Sequence, residues 1–222
     1  MAGHGTAKLG TAPETSAVVA PERPHHFVFV LLDQFTLLCL ASALDALRLA
    51  NRMSGTNLYT WSLVGEGGKT ATCSAGTKFV LDGDLVPLER NDTVLVVGGV
   101  NVGRATTTRL QSWLRREARR GGMIAGLCTA AWSLAASGLL DGKRATIHWE
   151  NQDGFAEDFP DIELTKAVFT IDGKRITTAG GTASVDLMLH LIARDFGEGL
   201  AAQAADQMIY SSIRTDQDTQ RL

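Results

Sequence analysis

One stretch, Gly121 to Glu150 (GGMIAGLCTAAWSLAASGLLDGKRATIHWE), gathers the side chains best suited to chemistry. Its centre is Gly126, Leu127, Cys128, Thr129 and Ala130, a cysteine version of the nucleophile elbow, where small neighbours let a strand and a helix crowd together. A side chain at such a turn stands at the carboxyl edge of a sheet and at a helix amino terminus. The N–H groups and dipole there favour an anion, so Cys128 should carry more thiolate character than a free cysteine. An oxyanion could rest on the same amides, with Thr129 and Gly99 as the donors. His148 is a possible base or donor, Trp149 an aromatic face and Glu150 a carboxylate. A plainer reading stands beside this one. Free cysteine is often simply buried, a tight strand-to-helix turn wants a small residue anyway, and a histidine beside a tryptophan is often a packing residue.

The elements that must position these groups are legible in the apolar pattern. Met123 to Leu127 is a short apolar run bounded by glycines, as a buried parallel strand should be, and the Ala-rich segment after Cys128 reads as a buried helix. HHFVFVLL (His25 to Leu32) and TVLVV (Thr93 to Val97) are also continuous rather than alternating, which predicts strands covered on both faces. Between them, Leu40, Ala43, Leu44, Leu47 and Ala50 recur at helical spacing up to Gly55, and YTWSLV (Tyr59 to Val64) restores a strand. Lys69 to Leu81 predicts a hairpin or a strand with a turn. Thr106 to Arg120 predicts an amphipathic helix with Arg115, Arg116, Arg119 and Arg120 outward, more simply a solvated face than a nucleic-acid patch. Further on come a short helix from Glu150 to Phe159, a hairpin across Asp172-Gly173-Lys174, a buried helix from Thr182 to Phe196 and a last helix from Glu198 to Tyr210.

Strands alternating with helices specify an α/β protein with a mainly parallel sheet and helices on both faces. Ligands of such sheets bind beyond the carboxyl ends of the strands, so the loops Asp33 to Thr36, Gly98 to Gly103 and the Cys128 elbow should converge. The net charge of -3 argues against nucleic-acid binding by these residues alone. Three cysteines, Cys39, Cys73 and Cys128, form no CxxC pair, which suits a reducing cytoplasm and supports neither a metal site nor a disulfide framework. Residues 1–24 read as a disordered leader rather than a targeting peptide, and no apolar run is long enough to span a bilayer.

GLCTAAWSLAASGLLDGKRATIHW resembles the elbow region of the PfpI-like, class I glutamine-amidotransferase-like superfamily. ASALDALRLANRMSG, TIHWEN, GGTASVDLMLHLIARDFG and IRTDQDTQRL are similar to the amino-terminal domain of AraC-family transcriptional regulators of the GlxA type. The resemblance implies a flavodoxin-like, PfpI-like sandwich over residues 25–210 that senses a small molecule, cytoplasmic and homodimeric, with no cofactor. It implies that residues 211–222 are a linker towards helix-turn-helix motifs that carry DNA binding and are absent here. The likeness is greatest to regulators that answer to arginine, carnitine or glycine betaine, an amino-acid or quaternary-ammonium effector. Enzymes of the superfamily set a carboxylate against the elbow cysteine. By register that position is Cys39 here, and Asp33, a few residues upstream, is the one candidate substitute.

Two functions therefore compete. In the first, an effector sits over Cys128, its carboxylate on the elbow amides and near His148. A cationic head would face Trp149, Trp132 or Phe35, with Glu150 or Asp33 as counter-charge. In the second, Cys128 is the nucleophile and His148 the acid/base of a hydrolase or hydratase. The expected binding set is Asp33, Phe35, Cys39, Gly99, Cys128, Thr129, His148, Trp149 and Glu150. A scaffold that only dimerises is a third possibility.

Overall fold

The computed structural model describes residues 20–220, so the leader expected over 1–24 lies almost wholly outside the described residues. The chain runs β1 (His25–Leu31), α1 (Leu37–Ser54), β2 (Tyr59–Val64), the ribbon β3 (Thr70–Thr72) and β4 (Lys78–Val80), and β5 (Thr93–Val97). It continues through α2 (Val102–Ala105), α3 (Thr108–Arg119), β6 (Met123–Leu127), α4 (Ala131–Ala136), β7 (Arg144–Ala145), α5 (Gln152–Asp158) and β8 (Glu163–Leu164). β9 (Phe169–Asp172), β10 (Arg175–Thr178), α6 (Ala183–Phe196) and α7 (Glu198–Gln207) complete it.

The central sheet has the order β2-β1-β5-β6-β10-β9. All neighbours are parallel except the β9–β10 hairpin at one edge. Alternation explains why β1 reads as an unbroken apolar run. Phe27, Phe29 and Leu31 face a core built with α1, α6 and α7, while Val28, Val30 and Leu32 face a second core under α3, α4 and α5. The Lys69 to Leu81 hairpin is the antiparallel β3–β4 pair.

Several boundaries differ from the expectation. α1 starts at Leu37, so Cys39 lies in its first turn and is fully buried. The short α2 has no apolar periodicity long enough to announce it. In α3 the outward arginines are partly engaged: buried Glu117 pairs with Arg116 at 2.9 Å and Arg120 at 3.7 Å. α7 stops at Gln207, and the polar stretch beyond Tyr210 has neither helix nor a named strand, yet it is tied to the domain. Arg214 Nε and Nη2 donate to fully buried Asp186 at 2.9 and 2.7 Å. Gln220 donates to Thr146 Oγ1 and to the Ile147 carbonyl, each at 2.9 Å.

Candidate functional site

Three loops meet at the carboxyl edge of the sheet, as its topology demands, and glycine makes their approach possible. A Cβ on Gly99 would fall 2.0 Å from the Gln34 carbonyl oxygen, and one on Gly98 would fall 2.5 Å from the Ala130 nitrogen. Real side chains do not tolerate such contacts. The loops are stitched by Thr36 N–H to the Gly98 carbonyl at 2.9 Å and by the Thr129 hydroxyl to the Gly99 carbonyl at 2.7 Å. Cys128 itself has φ +61°, a left-handed conformation unusual for a residue with a Cβ, followed by a 3-10 turn (Cys128–Ala130) that feeds α4. Gly180 packs so closely on the elbow that a Cβ there would lie 2.5 Å from Cys128 Cβ.

Cys128 is 6% exposed and opens on a cleft of about 580 Å³ shared with Thr36, Gly99, Trp132, His148, Glu150 and Asn151. Its sulfur is surrounded by donors. The Cys39 thiol is the strongest of them. The Thr36 hydroxyl, at 3.7 Å, and the Thr129 N–H add to it. Together they overcome burial and the nearby Glu150 charge and lower the Cys128 thiol to about 7. Cys39 moves the other way: its hydrogen bond to Cys128 and its burial push its own ionisation up, although the Gly181 N–H reaches its sulfur at 3.0 Å. Cys128 is therefore the member of the pair that ionises first, with Cys39 held as the thiol. A carboxylate in that position would carry a negative charge at neutral pH, whereas the Cys39 thiol, its ionisation pushed up, stays neutral.

The other expected residues divide. Gly99, Thr129, His148 and Glu150 line the cleft with Cys128, and Cys39 lies behind it. His148 is not bonded to Cys128 among the described residues. Its Nδ1 accepts from the Glu150 N–H at 3.4 Å and lies 3.7 Å from the Glu150 carboxylate, which positions it as a wall of the cleft rather than a base on the thiol. Trp149 is 43% exposed and stacks at a tilt on the His148 ring, outside the cleft lining. Two members of the set need correction. Phe35 is fully buried edge-on to Phe79, because β-bridges to Cys73 and Gly99 turn its ring into the core. Asp33 points into a neighbouring hollow and does not approach Cys128, so it does not replace the missing carboxylate.

Thr36, Asn101 and Asn151 line the cleft without having been singled out. Thr36 had a signal, a hydroxyl directly before the first helix; Asn101 had none, since its φ of +56° appears only in the folded chain. Trp132 lines the cleft and packs edge-on to Phe159, the ring centroids 5.0 Å apart. Among the described residues no group of three or more His, Cys, Asp or Glu side chains could hold a metal ion. No helix among them is long and apolar enough to cross a membrane.

Comparison with known proteins agrees with this fold. The chain is 45% identical over 196 residues to the HTH-type transcriptional regulator CdhR of Pseudomonas aeruginosa, a match covering 88% of this chain and 58% of that one. It is 34% identical over 194 residues to the HTH-type transcriptional regulator GlxA of Rhizobium meliloti, covering 87% and 60%. The chain thus spans little more than half the length of these relatives. Among solved structures, an AraC family transcriptional regulator from Pseudomonas putida superposes with a TM-score of 0.73 at 27% identity, over 83% of this chain and all of that one. The DJ-1/PfpI family model matches residues 26–194, most of the chain, and the protein belongs to the DJ-1/PfpI family.

Proposed function

We propose that this chain is the small-molecule-sensing unit of an AraC-type transcriptional regulator, with its effector seated in the Cys128 cleft. The observation that carries the reading is the Cys39–Cys128 pair, a thiol where a catalytic elbow needs a carboxylate, with His148 engaged by Glu150 instead of the sulfur. The cleft suits an amino acid or quaternary-ammonium metabolite. Asn101 and Asn151 in its lining carry side-chain amides that can donate to a carboxylate, and Trp132 with Glu150 offers a face and a counter-charge for a cation. DNA contact belongs, on this reading, to the part of the relatives that this chain does not match, and the working unit is a cytoplasmic homodimer. The effector would act on that part through residues 211–220. Gly180 and Gly181 touch Cys128 and Cys39, and Thr182, next in the chain, accepts from Arg214 at 2.8 Å.

One observation favours an enzyme as the second reading: a thiol lowered to about 7 in a left-handed elbow is chemically competent for nucleophilic attack. A thermal-shift screen against amino acids, betaines, carnitine and small amides separates the two, with Cys128→Ala and His148→Ala run alongside. A saturable shift from one class, with the compound recovered intact, is the expected result. Consumption of a compound that stops in Cys128→Ala would overturn the sensor reading.

A further inference from the structure

The elbow cleft is not the only hollow at the carboxyl edge. In the strand order β2-β1-β5 the chain leaves β1 towards β2 on one side and returns as β5 on the other. This is the switch point at which open α/β sheets bind ligands, and here the loops after β1 and β5 are joined by the Val100 N–H and the Gln34 carbonyl into a partition with a hollow on either side. On one side of the partition is the Cys128 cleft. On the other side lies a second hollow of about 510 Å³, which shares only Val100 and Asn101 with the first.

Its chemistry differs from that of the cleft. The floor is aliphatic, built on Leu81, Leu85 and Leu110, all nearly inaccessible to water in the fold. The rim carries Asp33, Glu66 and Arg104, all exposed. Glu66 is oriented by the Thr107 hydroxyl, which donates to Oε2 at 2.6 Å. Among the described residues neither Asp33 nor Arg104 has an ion-pair partner. The partition between the hollows is held in sparsely populated backbone states. Gln34 and Asn101 have φ of +59° and +56°, and the Val100 N–H donates to the Gln34 carbonyl at 3.1 Å. Left-handed residues with side chains persist only where the surrounding structure over-determines them, and they cluster at ligand clamps.

We propose that this hollow is a second ligand site, distinct from the Cys128 cleft, for a small ammonium carboxylate: an amino acid or its N-trimethylated counterpart. The ammonium group sits against Asp33 and Glu66, the carboxylate on the guanidinium of Arg104, and the carbon chain on the leucine floor. Two carboxylates to one guanidinium make the cation the stronger determinant.

Calorimetric titration of the chain tests this, with glycine, γ-aminobutyrate, L-arginine and their N-trimethyl forms as probes, and tetramethylammonium and acetate as half-ligands. At least one zwitterion is expected to bind the wild type. The double variant Asp33→Asn, Glu66→Gln should weaken it by about tenfold or more, one lost charge-assisted contact each. Arg104→Gln should weaken the zwitterion and leave tetramethylammonium unchanged. Trp132 belongs to the elbow cleft, so the rim variants are also read in a Trp132→Ala background, where binding at this hollow is retained and any binding at the cleft is weakened. All three rim substitutions are at exposed positions, and the side-chain amide introduced by Glu66→Gln can still accept from the Thr107 hydroxyl, so the fold is retained. Two results would overturn the site: no probe binding Trp132→Ala below about 10 mM, or rim variants in that background that bind as tightly as their parent. Binding that the wild type shows and Trp132→Ala loses belongs to the elbow cleft. Since each hollow has its own variants, failure here leaves the reading of the Cys128 cleft standing.

Discussion

The elbow cleft and the Asp33 hollow are neighbours of nearly equal volume, about 580 and 510 Å³, and each carries a carboxylate, yet the rest of their linings differ. The cleft brings a thiol, hydroxyls, a peptide N–H and an indole around a sulfur that is itself buried. The hollow sets formal charges on a rim above an aliphatic floor. Both exist for the same reason: parallel strands end together, and the β1 and β5 loops, joined where strand order reverses, leave a hollow on either side. The backbone topology supplies the cavities, and the few residues in each loop decide what each cavity can hold. The two also differ in what they lean on. Behind the cleft stand Gly180, Gly181 and α6, whose Asp186 grips the polar tail, whereas the hollow rests on the β3–β4 ribbon and α3.

The largest expected effect strikes both cavities at once. Gly99→Ala places a methyl group against the Gln34 carbonyl in the shared wall and should cost about 3 kcal/mol or more in denaturant unfolding. A cost near zero would mean that the wall is plastic and that the two cavities are not separate. Arg214→Ala comes next and should act on one side only. It strips the fully buried Asp186 carboxylate of a guanidinium that is itself partly exposed, a loss of about 2 kcal/mol after allowance for solvent. Alkylation of Cys128 should quicken in that variant, while zwitterion binding at the Asp33 rim stays put; an unchanged alkylation rate would separate the tail from the cleft.

Cys39→Ala is expected to be milder in stability and sharper in titration. Iodoacetamide alkylation of Cys128 should be half-maximal near pH 7 in the wild type, and the midpoint should climb by about one unit or more once the Cys39 donor is gone. The sign of the accompanying stability change follows from the lowered thiol. Its contribution is fully present above the ordinary thiol value of 9.0 and is lost as pH falls through about 7. Wild-type unfolding midpoints should therefore rise across that window relative to Cys128→Ala. The smallest effect belongs to Glu66→Gln, which should leave the unfolding midpoint unchanged, since only a rim charge is removed. A clear drop would make Glu66 a structural residue rather than a ligand contact.

The sheet was open to reading before any coordinates. His25 to Leu32, Thr93 to Val97 and Met123 to Leu127 are continuous apolar runs because both their faces are covered, and both cores observed on β1 follow from that pattern. The elbow was legible from small residues at fixed spacing. The opposition of Cys39 and Cys128 was reached through resemblance and register, since 89 positions separate them. The sorting of Asp33 from Phe35 was not legible. They are two residues apart, and an ordinary extended loop would send them to the same side. The left-handed Gln34 between them breaks that rule, sending one to a hollow and the other into the core. Glu117 was missed because one buried carboxylate among arginines has no periodic signature; its burial depends on ion pairs and on the Leu88 N–H, 3.4 Å away.

Local pattern thus determined which segments are strands and helices, that the sheet is mainly parallel, and that a thiol stands at a strand-to-helix turn. These follow from residue type and short-range periodicity, which every stretch of chain carries within itself. Tertiary structure alone decided that two hollows lie at the carboxyl edge among the described residues, that His148 makes no bond to Cys128 there, and that the polar tail is bound through Asp186 and Thr146. Each of these depends on where distant loops come to lie and on which way a single strained residue turns. Spacing along the chain carries no record of either.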